Sequence, residues 1–141
     1  MIKLYLDIDG VLLTAKQTRD ALGVGEFIDF VTVNFECYWL TTHCKGDSAT
    51  ALRYLSQFLQ PTTIDKLRHS VQPTTWDTLK TEAIDVESDF YWLDDQPFQS
   101  EISYLAAAKV DEQLICVDLH RPNELASIQD FLTLKLNDCQ P

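Results

Sequence analysis

A chain of 141 residues, 45% hydrophobic and 23% charged, has the length and balance of one soluble globular domain (residues 1–141) that can bury a core without disulfide staples. No apolar run approaches the roughly 20 residues that span a bilayer, and Asp7 and Asp9 interrupt the only early one; this argues against a membrane anchor or secretory leader and makes the cytoplasm the expected compartment. With 22 acidic against 11 basic residues the net charge is −11, so nucleic acid is disfavoured as a partner and any phosphorylated ligand needs a cation to mediate its binding.

In chain order, residues 2–8 form an apolar run that reads as a strand and leads into Asp7-Ile8-Asp9-Gly10. Residues 14–25 are polar, contain two glycines and read as a mobile loop; 27–35 fit either period, and a helix is expected. A second strand, 37–40, ends in Thr41-Thr42-His43. Gly46-Asp47-Ser48 is a helix start; Ala51, Leu52, Leu55, Phe58 and Leu59 share one face, and Pro61 stops that helix. The spacing predicts a short helix over 62–71 ended by Pro73, and another over 76–84. Residues 90–93 read as a strand closed by Asp94-Asp95, 100–110 as an alanine-rich helix and 114–117 as a further strand. Asn123 is placed to cap a last helix with Leu125, Ile128, Phe131 and Leu132 as its stripe. The strands are near-continuously apolar, as strands covered on both faces are. Their alternation with helices predicts an α/β, Rossmann-like three-layer sandwich with a central parallel sheet.

In such an open sheet the carboxyl ends of the strands lie on one edge, and that edge hosts the ligand. Asp7, Asp9, Thr41, Thr42, Asp94 and Asp95 all fall at strand ends and are expected to converge there. Two carboxylates ~4 Å apart repel by about 4 kcal/mol at an effective dielectric near 20. Several of them must take up protons or hold a cation, and an all-oxygen set suits a hard ion such as Mg²⁺. The competing reading of any one Asp is a solvated strand end or a helix cap.

These residues resemble the motifs of the haloacid dehalogenase-like superfamily, most of whose members are Mg²⁺-dependent phosphohydrolases. Asp7-Ile8-Asp9-Gly10-Val11 is similar to its first motif, an Asp-x-Asp-Gly followed by Thr or Val after an apolar strand. The strand end at Thr41-Thr42 is similar to the second, with Thr41 favoured; Lys80, with Lys66 as runner-up, stands for the third; Asp94-Asp95 resembles the acidic pair of the fourth. The resemblance spans Lys3 to Asp95. It implies that Asp7 is the nucleophile, forming an aspartyl-phosphate, and that Asp9 is the general acid and base. It further implies that Thr41 or Thr42 and Lys80 bind the phosphoryl group. Mg²⁺ would be held by Asp7, the backbone carbonyl of Asp9, and Asp94, with Asp95 acting behind them or through a water. Family dehalogenases lack the acidic residue two positions past the nucleophile, so Asp9 favours hydrolysis of a phosphate monoester. The 31 residues of 10–40 and the 37 of 43–79 leave little room for the cap domain usual in the family. The expected molecule is therefore capless; capless members of the family often act on large substrates or borrow a neighbouring subunit as a lid, and the phosphorylated substrate is left open between a small molecule and a macromolecule. The rival readings are a non-catalytic module on this scaffold and a regulatory domain that holds a phosphoryl group on Asp7.

The remaining candidates have plainer readings. His43 follows the second motif and could touch substrate, with a surface histidine as the plainer reading; His69 reads as solvated, and His120, after Asp118 at the end of the fourth strand, could lie at the rim of the site but shows no further partner. Trp39 and Trp92 read as core, and Trp76 as packing a helix. Cys37, Cys44, Cys116 and Cys139 show no paired spacing and read as buried free thiols.

Overall fold

In the computed structural model, which describes residues 1–138, five strands form a single sheet. They are β1 (Lys3–Leu6), β2 (Glu36–Trp39), β3 (Val71–Gln72), β4 (Phe90–Asp94) and β5 (Leu114–Cys116). Every pairing is parallel, in the order β3-β2-β1-β4-β5. The helices are α1 (Val24–Asn34), α2 (Ala49–Leu55), α3 (Pro61–Ser70), α4 (Gln99–Ala107) and α5 (Glu124–Asp138).

Alternation along the strands divides the core in two. Leu4 and Leu6 of β1, Cys37 and Trp39 of β2, and Tyr91 and Leu93 of β4 join one cluster with α1, α2, α3 and α5. Tyr5, Phe90 and Trp92 point the other way, into a smaller cluster with Leu40, Ile84 and Leu105 of α4. Both faces of the sheet are thus covered, which explains the near-continuous apolar runs of β1 and β4. The Trp39 and Trp92 indoles are fully buried with no hydrogen-bond partner for Nε1. An orphaned donor costs about 1–3 kcal/mol. Removing some 200 Å² of ring from water at about 25 cal/mol per Å² outweighs it.

Helix α1 settles the ambiguous segment as a helix: Val24, Phe27, Ile28 and Val31 are buried at helical spacing. Ser127 N donates to the Asn123 carbonyl at the head of α5, and Ala49 N to Asp47 Oδ1 at the head of α2. Four expectations need correction. Helix α2 ends at Leu55, and Pro61 opens α3 instead of stopping α2, because its fixed φ and missing N–H suit the first helical position. Residues 76–84 are not a helix; only Lys80–Ala83 makes a 3-10 turn, with Glu82 folding back to accept from the backbone N–H groups of Asp77, Thr78 and Leu79. Val71 does not end a helix but starts β3, paired with Cys37. Cys116 is exposed on edge strand β5, whereas Cys37 and Cys44 are buried free thiols and Cys139 lies outside the described residues. No helix among the described residues is long and apolar enough to cross a membrane.

The strand order reverses beside β1. From β1 the chain steps outward to β2 and β3, then returns to place β4 on β1's other side. The crevice beyond the carboxyl ends of β1 and β4 is therefore the topological switch point. Segments 10–40 and 43–79 are spent on α1, α2, α3, β2 and β3, whose apolar residues pack into the first core cluster.

Candidate active site

Asp7 and Asp94 end the two strands that flank the switch point. Asp7 N donates to the Leu93 carbonyl at 3.1 Å, and Val117 N donates to the Asp94 carbonyl at 2.9 Å, so ladder-like bonds fix both backbones. Asp7 Oδ1 accepts from Ile8 N at 2.8 Å, and Asp94 Oδ1 from Gln96 N at 3.0 Å. The second oxygens of both face Lys80, whose Nζ lies 2.6 Å from Asp94 Oδ2 and 3.3 Å from Asp7 Oδ2. Asp95 completes the group: one carboxylate oxygen from each of Asp7, Asp94 and Asp95 lies within 4.8 Å of the others. Asp95 reaches this place by crossing Gly10, where a Cβ would sit 2.1 Å from its Oδ2.

Three carboxylates and one ammonium leave an excess of negative charge, and the site responds. Burial first, and then the neighbouring Asp94 carboxylate, push the Asp7 carboxyl up to about 7, against the pull of Lys80 and the Ile8 N–H. Burial and Asp94 also raise Asp95. Burial opposes the charge on Lys80, but Asp7 and Asp94 outweigh it and hold the ammonium above its ordinary range. A proton taken up by a buried carboxyl at neutral pH marks a place that would accept a further cation.

Asp9 stands apart. Its carboxylate is outside the three-Asp group. Asp9 Oδ2 lies 2.8 Å from His43 Nε2, and Oδ1 accepts from the Tyr54 hydroxyl at 2.9 Å. Asp95 places one oxygen within 4.8 Å of those of Asp7 and Asp94. Leu40 N donates to the Leu6 carbonyl, so the turn after β2 starts level with Asp7. In that turn Thr41 is fully buried, its Oγ1 accepting from His43 N at 3.3 Å, while Thr42 is exposed.

Other candidates fall elsewhere. Lys66 pairs with Asp29 on the surface, His69 Nδ1 bonds the Asp65 carbonyl, and His120 is exposed beside Asp118. A cavity of about 510 Å³ opens between residues 14–23 and 119–125; His120 lines it, but Asp7, Asp9, Thr41, Thr42, Lys80, Asp94 and Asp95 do not. Two contributors escaped sequence reading. Tyr54 lies amid the apolar stripe of α2 with nothing to mark it. Glu101 is 2% exposed; it accepts from Phe98 N at 2.8 Å and from Lys80 N at 2.6 Å, tying α4 to the turn that presents Lys80. An acidic residue three positions past a helix start was its one legible signal. No protein-family model, curated protein or solved structure matches the chain.

Proposed function

We propose that this protein is a metal-assisted phosphohydrolase of the haloacid dehalogenase type, cleaving a phosphate monoester through an aspartyl-phosphate on Asp7. The observation that carries the reading is the meeting of Asp7, Asp94, Asp95 and Lys80 at the switch point, with Asp9 held separately beside it. The donor set is all oxygen and already draws a proton onto Asp7, so it fits a hard divalent cation. Asp7, Asp94 and Asp95 would hold Mg²⁺, which when bound supplies positive charge to the phosphoryl oxygens and keeps Asp7 ionised.

The chain's own groups do the rest. Asp7 Oδ1 is engaged with the Ile8 N–H, leaving Oδ2, on the Lys80 side, as the nucleophilic atom. Its attack on phosphorus divides one difficult hydrolysis into two displacements. Lys80 adds the cation that a chain of net charge −11 needs beside a phosphate. A hydroxyl from the Thr41-Thr42 turn donates to a phosphoryl oxygen. Asp9 hands a proton to the departing oxygen and then takes one from the water that cleaves the phosphoryl–Asp7 bond, help worth about 10²–10⁴-fold. With segments 10–40 and 43–79 spent on the sheet layers, the site suits a large phosphorylated substrate or a lid from a second copy.

The test is hydrolysis of an aryl phosphate by wild type and Asp7→Asn, with Mg²⁺ and with excess chelator. Turnover is expected only for wild type with Mg²⁺. Undiminished turnover in Asp7→Asn removes the nucleophile assignment, and undiminished turnover in chelator removes the metal. A phosphoryl group that persists on Asp7 instead of turning over would favour the regulatory reading.

A further inference from the structure

We propose that His43 and Tyr54 are positioning residues that clamp the Asp9 carboxylate for proton transfer to the leaving oxygen. This deepens the phosphohydrolase reading and rests on it.

Three elements distant in sequence build the clamp: Asp9 from the turn after β1, His43 from the turn after β2 and Tyr54 from α2. Each Asp9 oxygen has its own partner, at 2.8 Å and 2.9 Å. An ionised carboxylate only accepts, so the facing His43 Nε2 carries the hydrogen. The two donors form one rigid unit, because the His43 and Tyr54 rings stack with centroids 4.1 Å apart and planes 14° apart. Phe58 meets Tyr54 edge-on, and His43 N donates to the buried Thr41 hydroxyl, so both donors are braced from behind. Burial and the bond to Asp9 raise the Tyr54 phenol above its ordinary range, which keeps it a donor.

Held at both oxygens, the carboxylate cannot swing into the Asp7, Asp94 and Asp95 group. Its remaining lone pairs face a fixed direction. In the first displacement the bond from phosphorus to the ester oxygen breaks. The electron pair leaves with that oxygen, and a proton that Asp9 has first taken up from solvent on a remaining lone pair moves onto it, returning Asp9 to the carboxylate that accepts from His43 and Tyr54. A clamp of this kind acts where the leaving oxygen needs a proton and matters little where it departs readily as an anion.

That difference supplies the test. kcat/KM covers steps up to departure of the leaving group and excludes the later attack of water, so it isolates the acid role. It would be measured for an alkyl and an aryl phosphate monoester with wild type, Tyr54→Phe, His43→Ala, His43→Gln and Asp9→Asn. Tyr54→Phe and His43→Ala should each lower the alkyl-to-aryl ratio of kcat/KM about tenfold, a part of the whole acid contribution. His43→Gln, which keeps a side-chain N–H, should recover part of the ratio. In an Asp9→Asn background neither substitution should lower it further, as expected of groups acting as one unit. Equal losses on both esters, or further losses in the Asp9→Asn background, overturn the clamp. If wild type turns over both esters and Asp7→Asn neither, such a result removes the clamp alone. Wild type inactive on both esters removes the phosphohydrolase reading and the clamp together.

Discussion

Gly10 carries two demands at one position. Its φ of +82° lies in the left-handed region, and its missing Cβ is the space through which Asp95 reaches the carboxylate group. Gly10→Ala should cost about 1–2 kcal/mol in backbone strain and also displace Asp95, weakening Mg²⁺ binding. Gly23 is the control, with φ +76° and no atom within 4 Å of a built Cβ. Gly23→Ala should lose similar stability with Mg²⁺ affinity intact, and titration calorimetry on both variants separates the effects. Asp7 adds a pH dependence. Its folded value of about 7 exceeds the ordinary 3.8, so the metal-free native state binds the proton more tightly than the unfolded chain. The resulting stabilisation is complete below about pH 4 and is lost as pH rises toward and through 7, at most a few kcal/mol in all. Melts in chelator between pH 5 and 8 should show this slope in wild type and a smaller one in Asp7→Asn, where the raised Asp95 carboxyl remains. Because the proton and Mg²⁺ compete for Asp7, Mg²⁺ affinity should rise over the same range.

Among the elements, the 3-10 turn at Lys80–Ala83 has least to hold it, yet it presents the site's one close ammonium. Glu101 anchors it, because one buried carboxylate satisfies both Phe98 N at the head of α4 and Lys80 N. Glu101→Ala leaves two backbone donors without this acceptor and should destabilise the fold by about 2–3 kcal/mol. It should also lower phosphate-ester turnover, since Lys80 loses its backbone tether. Glu101→Gln keeps an oxygen acceptor and should fall between. Chemical denaturation beside the kinetics checks both, and an unchanged rate in Glu101→Ala would mean that Lys80 is placed by its carboxylate partners alone. After edge strand β5, Glu124, 8% exposed, accepts from Asp118 N at 2.8 Å and ties the turn after β5 to α5 in the same manner.

Across the whole molecule the net charge is −11, and where the strand order reverses three of its carboxylates share one group, so stored repulsion there should be visible in global stability. Asp94 is a poor probe of it, because its carboxylate is also the partner of Lys80 at 2.6 Å. Asp95 is the better one, raised by burial and by Asp94. Asp95→Asn should make the metal-free protein more stable by about 0.5–1 kcal/mol, after discounting for solvent screening. Mg²⁺ at a hundredfold excess over its Kd should stabilise wild type by about 2.7 kcal/mol, roughly 10 °C in Tm for a chain of this length. The shift should be smaller in Asp95→Asn. Thermal melts of both proteins with and without Mg²⁺ decide it: equal shifts would show that Asp95 does not share the ion, and no shift in either would show that the carboxylates hold none.

What the sequence by itself determined was the class of fold and the edge on which the polar residues meet. Buried parallel strands must be apolar on both faces, and a parallel sheet puts every strand end on one side, so Asp7, Asp9 and Asp94 could be placed without coordinates. Segment 76–84 misled because Trp76, Leu79, Ala83 and Ile84 fall at helical spacing, but Glu82 spends its carboxylate on three backbone N–H groups and holds most of it out of the helix. Two-residue β3 was too short to show a period. Tertiary structure alone decided which carboxylates share one group and which stand apart. Asp95 joins because Gly10 leaves it room, and Asp9 is withdrawn because His43 and Tyr54, 34 and 45 residues away, donate to it. Contacts at that separation leave no periodic trace in a chain, because the geometry that creates them exists only once the sheet has assembled.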